Sequence, residues 1–326
     1  MSMPCSCFAP GRTIVQGLSA DRLAVLTSIK VGASAFSFLG SCCIVSCYLL
    51  FKDLRKFSFK LVFYLAFSDL TWSFFNLLGD PGRGFLCYLQ GYSTHFFSIA
   101  SFLWTTTIAF TLHRTVVQHK ADVEEMGPLF HLYVWGTSLI MSVLPSIGNN
   151  YGLAGAWCWI QTGTRIESVL RFISFYVPLW GAVIYNASIY YQVIRTLNYA
   201  AHMALDMSDR QLNADVKVDT KMVNRWSSYP FILIGSWSFS TINDIHNFLK
   251  PHQPLFWLCA MDIGAGSLMG FFNSIAYGFN AAVRRTLWEK LNQWFPVKYQ
   301  RLKLGSPKLT GSFPETEIAM FDIDDS

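Results

Sequence analysis

Long stretches without a charged residue constrain this chain more than any other feature of its sequence. Four of them are Val31–Phe51, Leu86–His113, Phe172–Ile194 and Ile263–Val283, and a fifth begins at Leu129. Each exceeds about 18 residues, the length at which an apolar helix can cross the hydrocarbon core of a bilayer. Only 14% of the residues are charged, against about 25% in soluble domains. The sequence therefore predicts an all-α membrane protein that crosses the bilayer several times.

Hydropathy and turn-forming residues together predict a bundle of seven transmembrane helices over residues 24–279. Residues 145–159, PSIGNNYGLAGAWCW, are too rich in Gly, Asn and Pro to add an eighth span. An N-terminal tail, 1–23, precedes the bundle and lacks the apolar core of a cleaved signal peptide. The predicted helices are 24–51, 61–79, 86–113, 129–147, 170–194, 226–248 and 256–279.

The Lys and Arg residues are divided unevenly between the two sides of the predicted bundle. Eighteen lie on one side and seven on the other. Because cytoplasmic loops are enriched in Lys and Arg, we expect the N-terminus outside and the C-terminus in the cytoplasm. Residues 280–295 have the apolar spacing of an amphipathic interfacial helix, and the polar residues 296–326 predict a disordered cytoplasmic tail. The net charge of +5 follows from this topology, so no nucleic-acid partner is expected.

The cysteines separate by position. Cys87 lies at the outer start of the third helix and Cys158 in the second outer loop, so both face an oxidising compartment and can pair. No four-ligand metal spacing is present, and we expect neither a metal nor another cofactor. The cysteines expected as buried thiols are Cys42, Cys43, Cys47 and Cys259.

Polar residues within spans mark candidate functional positions, because they are costly in the hydrocarbon core. In the seventh helix, one stripe at helical spacing should face the bundle interior. It can equally hold neighbouring helices together through hydrogen bonds. The members of the stripe are Asp262, Gly266, Met269, Asn273 and Tyr277.

Asp69 is a second acid within a predicted span. A lone buried carboxyl group must be neutral, hydrogen-bonded or ion-paired. A proton path, an ion site and a local network with the region of Asn273 all fit this position.

The order of these features resembles that of the seven-helix G-protein-coupled receptors. LAFSDL around Asp69 resembles their acidic motif of helix 2, HRT at 113–115 their inner motif of helix 3, and NSIAY at 273–277 their Asn-Pro-x-x-Tyr motif. Cys87 and Cys158 correspond to their outer disulfide bond.

A narrower similarity covers roughly residues 25–295. The segments LRKFSFKLVFYLAFSDL, SFLWTTTIAFTLHRTVV and FNSIAYGFN are similar to the cyclic-AMP-receptor-like family, and specifically to its plant member. The resemblance implies a plasma-membrane receptor that couples an extracellular or membrane-borne stimulus to the α subunit of a heterotrimeric G protein, in plant hormone responses.

The resemblance also suggests roles for particular residues. Asp69, Asn273 and Tyr277 would form an activation network. A ligand, which the sequence does not identify, would enter from outside between helices 3, 5, 6 and 7. Its candidate pocket residues are Gln90, His95, Tyr176, Trp180, Asn243, Asp244, His246 and Asp262. The candidate G-protein-coupling residues are His113, Arg114, Lys217, Lys221 and Arg225.

Several positions leave alternatives open or depart from the receptor pattern. Basic residues near helix 6 can steer an acidic partner, but they can also bind anionic membrane lipids.

His113 replaces the acid that usually precedes the arginine, so a partner that restrains Arg114 is not an adjacent acid. Protonation of His113 would repel Arg114 and favour opening. Ser274 replaces the proline of the helix 7 motif, which removes a built-in kink.

Two other functional classes compete with a receptor. A channel, carrier or scaffold would use Asp69 and Asp262, but the sequence has no internal repeats and no ring-forming series of charges. An intramembrane enzyme is disfavoured, because the seven histidines show no metal spacing and no nucleophile–base pair is evident.

Overall fold

The structure is a computed structural model that describes residues 20–79, 81–82, 84–120, 122–154, 157–161, 164–206, 229–250, 253–278 and 281–294. The described chain is a bundle of seven long helices followed by a shorter eighth. The first four helices are α1 (Ala20–Leu50), α2 (Phe57–Leu77), α3 (Phe85–Val116) and α4 (Gly127–Ser146). Two short strands follow, β1 (Tyr151–Leu153) and β2 (Cys158–Ile160), which pair antiparallel.

The second half of the bundle contains irregular helices. Helix α5 comprises Arg165–Arg171, a π turn at Phe172–Tyr176 and Val177–Asp206. Helix α6 is Tyr229–Leu249. Helix α7 comprises Phe256–Ser267, Met269–Asn273 and a π turn at Ser274–Gly278, and α8 is Ala281–Trp294.

Five of the described helices are long and apolar enough on their own to cross a membrane. The other two long helices, α2 and α6, have 21 residues each. At 1.5 Å per residue that length spans about 30 Å, the thickness of the hydrocarbon core. Their lower hydropathy follows from inward-facing polar residues such as Asp69 and Asn243, which are buried. The predicted seven-helix bundle is confirmed.

Helix α3 lies at the centre of the bundle. It contacts α2, α4, α5 and β2, and Ile99, Phe102 and Trp104 are fully buried. Large apolar side chains on the outer helices are exposed instead, including Leu39 at 65% and Leu132 at 71%. In a soluble protein such surfaces would promote association, whereas here they suit contact with lipid tails.

The fifth helix begins earlier than the predicted residue 170. Thr164 and Glu167 form a reciprocal capping box: Glu167 N donates to Thr164 Oγ1 at 3.2 Å, and Thr164 N donates to Glu167 Oε2 at 2.6 Å. The hydropathy pattern hides this start, because the first turn carries Arg165 and Glu167. A Thr-x-x-Glu sequence is itself a helix-start signal.

The seventh helix is irregular despite the serine at position 274. The helix is interrupted at Leu268, and Ser274–Gly278 form a π turn. The loss of the motif's proline therefore does not make this helix regular. Ser37 of α1 stabilises the interruption, because its Oγ donates to the carbonyl of Ser267 at 2.6 Å and accepts from the N–H of Phe271 at 3.0 Å.

Candidate functional site

A disulfide bond fastens the hairpin β1–β2 to the outer end of α3. Cys87 and Cys158 are bonded, which confirms the predicted pair. The N–H of Cys158 also donates to Oε1 of Gln90 at 2.9 Å. These two links hold the hairpin across the outer end of the bundle, where it forms part of the wall of a cavity.

The cavity has a volume of about 110 Å³ and is lined by residues from α1, α2, α3, the hairpin, α5, α6 and α7. Two basic and two acidic side chains face it, together with four tryptophans. The ionisable residues are Lys30, Arg171, Asp244 and Asp262. The tryptophans are Trp72, Trp157, Trp159 and Trp237.

Arg171, which is buried, and Asp244, which is partly buried, form an ion pair between α5 and α6. Nη1 of Arg171 donates to both carboxylate oxygens of Asp244, at 2.9 and 3.0 Å. Nη2 donates to the carbonyl of Ile160, and the guanidinium lies 4.5 Å from the ring of Trp159. Tyr176 Oη donates to Oδ2 of Asp244 at 2.8 Å. This ion pair therefore joins the hairpin to α5 and α6.

Asp262 belongs to a separate polar network that joins α6 to α7. Asn243 Nδ2 donates to Oδ2 of Asp262 at 2.8 Å. Oδ1 of Asn243 accepts from Asn247 Nδ2 at 3.2 Å and from Cys259 Sγ at 3.6 Å. Because Asn243 uses both ends of its amide, its orientation is fixed by this network.

Lys30 reaches the cavity from α1. It is 7% exposed, and its Nζ lies 4.4 Å from the centre of the Trp157 ring, a cation–π distance. Asp262 attracts the ammonium at longer range, but the two do not form an ion pair at contact distance.

Trp237 closes the cavity on its inner side. Its Nε1 donates to Sδ of Met269 at 3.1 Å, and its ring meets that of Phe175 edge-on at 4.9 Å. Gly270, which follows Met269 in the chain, packs so closely on α2 that an added Cβ would lie 3.1 Å from Cβ of Asp69. A continuous packed path therefore connects the cavity to Asp69.

Asp69 lies at the centre of a buried network between α2, α3 and α7. Its Oδ1 accepts from Ser101 Oγ at 2.5 Å and its Oδ2 from Asn273 Nδ2 at 2.9 Å. The structure thus brings together two of the three residues expected in an activation network. The side chain of Tyr277, the third, lies outside the described part of the chain.

At the inner end of α3, Arg114 forms an ion pair with Asp122 of the following loop. Nη2 of Arg114 lies 3.0 and 3.1 Å from the two carboxylate oxygens. This hydrogen bonding holds the pKa of the Asp122 carboxyl below its ordinary value. Nε2 of His113 lies 3.0 Å from Oε1 of Gln192 on α5. The predicted coupling residues Lys217, Lys221 and Arg225 lie outside the described residues.

The predicted pocket residues occupy different environments. Asn243, Asp244 and Asp262 line the cavity. Tyr176 contacts it through Asp244. Trp180, which instead joins α5 to α6, donates from Nε1 to Thr241 Oγ1 at 3.1 Å. His246 is on α6, between Asn243 and the outer end of that helix, and it is absent from the lining residues.

Gln90 and His95 serve packing at the outer end of α3 and do not line the cavity. Nε2 of Gln90 donates to the carbonyls of Phe75 and Gly79, both at 2.8 Å. His95 is fully buried, and its ring lies 5.8 Å from that of Phe175.

Lys30 and Arg171 are the charged residues of the cavity that were not predicted from the sequence. In the predicted topology both count only as outer positive charges. Yet Lys30 falls well inside the predicted first helix and Arg171 just inside the fifth, and a charge within a span is itself a signal of function. That signal was sufficient to place both among the candidates.

Comparisons with known proteins agree with these features. A family model described as slime mold cyclic AMP receptor matches residues 19–299. G-protein coupled receptor 1 of Arabidopsis thaliana is 58% identical over 285 residues, which cover 87% of each chain. Cyclic AMP receptor-like protein A of Dictyostelium discoideum is 28% identical over 263 residues, covering 80% of this chain and 66% of that protein.

The fold is also that of a solved receptor structure. Squid rhodopsin superimposes with a TM-score of 0.69 at 15% identity, covering 98% of this chain and 95% of the rhodopsin chain. The family resemblance drawn from the motifs is confirmed. The chain belongs to the slime mold cyclic AMP receptor family and has the seven-helix fold of the G-protein-coupled receptors.

Proposed function

We propose that this protein is a receptor in which a ligand in the outer cavity controls the binding of a heterotrimeric G-protein α subunit at the inner end. The observation that carries the proposal is the placement of Arg114. It lies at the inner end of the central helix and is paired with Asp122, whose side chain is 54% exposed. A partner that competes for such an exposed ion pair has little energy to overcome.

The packed path from the cavity supports communication between the two ends. A ligand that contacts Trp237 would act on Met269, and through Gly270 on the Asp69–Asn273 hydrogen bond. A change of this kind biases an equilibrium between two arrangements of α6 and α7, to the extent that the ligand prefers one of them.

A reconstituted nucleotide-exchange assay tests the proposal. The receptor, purified into lipid nanodiscs, is mixed with a purified Gα subunit, and the rate of guanine-nucleotide exchange is measured. We expect the receptor to accelerate exchange and Arg114→Ala to return the rate to that of Gα alone. Arg165→Ala, an exposed arginine at the outer end of α5, is the matched control and should retain the acceleration.

The assay also has a clear negative result. If neither the natural receptor nor Asp122→Asn, which frees Arg114, changes the exchange rate, the coupling part of the proposal is wrong.

Residence in the plasma membrane and a role in hormone responses belong to the same proposal. Surface labelling of intact plant cells that express the tagged protein tests the location.

The structure gives less support to a channel or carrier that works through Asp69. The void beside this carboxyl has a volume of about 10 Å³, which is at the lower limit for a single water molecule. Both oxygens of Asp69 already accept hydrogen bonds. A receptor therefore accounts better for this buried acid.

A further inference from the structure

Of the two cations that line the outer cavity, Lys30 and Arg171, only Arg171 has an ion-pair partner at contact distance among the described residues. The side chain of Lys30 is more than nine-tenths buried. Among the described residues, no carboxylate lies within ion-pair distance of its Nζ, and no hydrogen bond from the ammonium is present. The face of Trp157 is the one specific contact that it makes there.

The neighbouring ionisable side chains have partners of two kinds, an ion pair for Arg171 and Asp244 and a hydrogen bond from a neutral amide for Asp262. Arg171 and Asp244 neutralise each other at 2.9 Å. Asp262 accepts from Asn243 at 2.8 Å. A buried ammonium without hydrogen-bond acceptors is strongly unfavourable, and a cation–π contact offsets only part of that cost. Lys30 is therefore a cation that is held toward the cavity and needs an anion.

The walls of the cavity define the remainder of a ligand. Trp72, Trp157, Trp159 and Trp237 all line it, and indole rings offer flat apolar surfaces that pack well against another ring. The volume of about 110 Å³ is below the roughly 300–1,000 Å³ of pockets for drug-sized molecules. Asp244 and Asp262 repel negative charge, so an anionic group is best placed beside Lys30, with the apolar body among the tryptophans.

We propose that the outer cavity binds a small organic anion, with its carboxylate or phosphate held by Lys30 and its apolar ring packed between the tryptophans. This inference rests on the proposed function, since it names the class of ligand for the same cavity. Lys30 would then be the main determinant of selectivity for anions, and Arg171, already paired, would hold the wall in place.

The test compares two anionic probes with a neutral isostere of one of them. Phenylacetate, its neutral isostere 2-phenylacetamide, and phenyl phosphate are titrated into the purified full-length protein in nanodiscs, and binding is followed by tryptophan fluorescence and by the shift in thermal unfolding midpoint. We expect at least one anion to bind saturably at least about tenfold more tightly than the amide, the scale of one charge-assisted hydrogen bond. The preferred anion distinguishes a carboxylate site from a phosphate site.

Variants then assign the effect to Lys30. Lys30→Met should bind the anions no better than the amide, whereas Lys30→Arg keeps the charge and should retain a preference. Lys250→Met removes an exposed lysine from the same side of the membrane and is the matched control, expected to bind as the natural protein does. Loss of anion preference in both Met variants would show general surface electrostatics and contradict the proposal.

The comparison of anions with amide in the natural protein decides the proposal even if Lys30→Met does not fold. Equal binding of all three probes, or none, overturns it. Because no G protein is present, the outcome is separate from that of the exchange assay. Anion binding without stimulated exchange would contradict the coupling function alone, and stimulated exchange without anion preference would contradict the ligand class alone.

Discussion

Arg114 at the inner end of α3 is paired with Asp122, eight residues further along the chain, and its Nη2 lies 3.0 Å from Oδ1. His113 precedes the arginine, so the sequence offers Arg114 no adjacent carboxylate. The structure supplies a carboxylate from the loop that follows. Within the described residues this ion pair joins α3 to its own loop, and the described part of α6, Tyr229–Leu249, does not take part in it.

Removing the carboxylate should increase basal coupling. In Asp122→Asn, Arg114 loses its ionic partner, and we expect ligand-independent nucleotide exchange on Gα to rise by about two- to fivefold, a modest factor because exposed ion pairs are weak. Glu124→Gln alters an exposed acid of the same loop and is the control. An equal effect of both variants would indicate that the net charge of the loop matters and that the ion pair does not.

The pH range of this pair follows from the direction of the pKa shift. Hydrogen bonding from Arg114 is the main cause and lowers the pKa of Asp122. A carboxyl whose folded pKa is lowered contributes stability above its unfolded pKa, and this contribution is lost as the pH falls through the folded pKa. Since an unperturbed Asp has a pKa of about 3.9, the pair is intact throughout the range from about pH 5 to 8, in which histidine titrates.

The ion pair itself should therefore give coupling no pH response within that range. Since a positive charge at position 113 would repel Arg114, we expect any rise in receptor-stimulated exchange at lower pH, corrected for Gα alone, to be lost in His113→Asp and retained in Asp122→Asn. A pH response that survives in His113→Asp would assign it to another group.

Breaking the ion pair at the outer end should destabilise the bundle. Arg171→Met leaves the partly buried carboxylate of Asp244 without its cation. Removing one partner of a fully buried pair typically costs about 3–5 kcal/mol, which is the upper limit here. We expect a marked fall in the thermal unfolding midpoint, and a partial recovery in Arg171→Met/Asp244→Leu, where neither charge is left. Arg165→Met, at an exposed position of the same helix, should have little effect. If the unfolding midpoint of Arg171→Met were no lower than that of Arg165→Met, the pair would have no structural role.

Two glycines of α7 offer a matched test of the packing beside Asp69. A Cβ at Gly270 would lie 3.1 Å from Cβ of Asp69 and 3.2 Å from Cβ of Ser37, whereas at Gly264 the nearest atom would be 3.7 Å away. Gly270→Ala should therefore destabilise the protein by about 1–3 kcal/mol through overpacking. Gly264→Ala should be neutral or stabilising, because alanine favours helix. Equal unfolding midpoints for the two variants would show that α7 shifts freely away from α2.

The membrane fold was predictable because it depends on the length and hydropathy of whole segments. The disulfide was also accessible, since Cys87 at a helix start and Cys158 in the following loop were both placed on the outer side. The Asp69–Asn273 contact was accessible because the two residues lie at similar depths in their helices. The two ion pairs could not be predicted from the sequence. Arg171 meets Asp244 across 73 positions, and Asp122 bends back to Arg114 through a loop whose path has no periodic signal.

Only the structure shows which outer polar residues line the cavity and which ones pack between helices. Gln90 and Asn243 look alike in sequence, as amides in apolar helices. The side chain of Gln90 hydrogen-bonds to the backbone of α2 and of the hairpin. The side chain of Asn243 instead donates to Asp262. Helical spacing specifies a face but leaves the identity of the facing neighbour open.

The π turn at Ser274–Gly278 has a consequence for the register of α7. A π turn accommodates one residue more than an α-helical turn, so the residues beyond it are out of phase with those before it by about 100°, the angle between successive residues of an α-helix. The α-helical spacing on which the predicted polar stripe rests therefore holds only as far as Asn273, the residue before the turn. Moving the turn along the chain by one residue would rotate the side chains that it passes, and would change which face of α7 meets α1 and α2 without bending the helix.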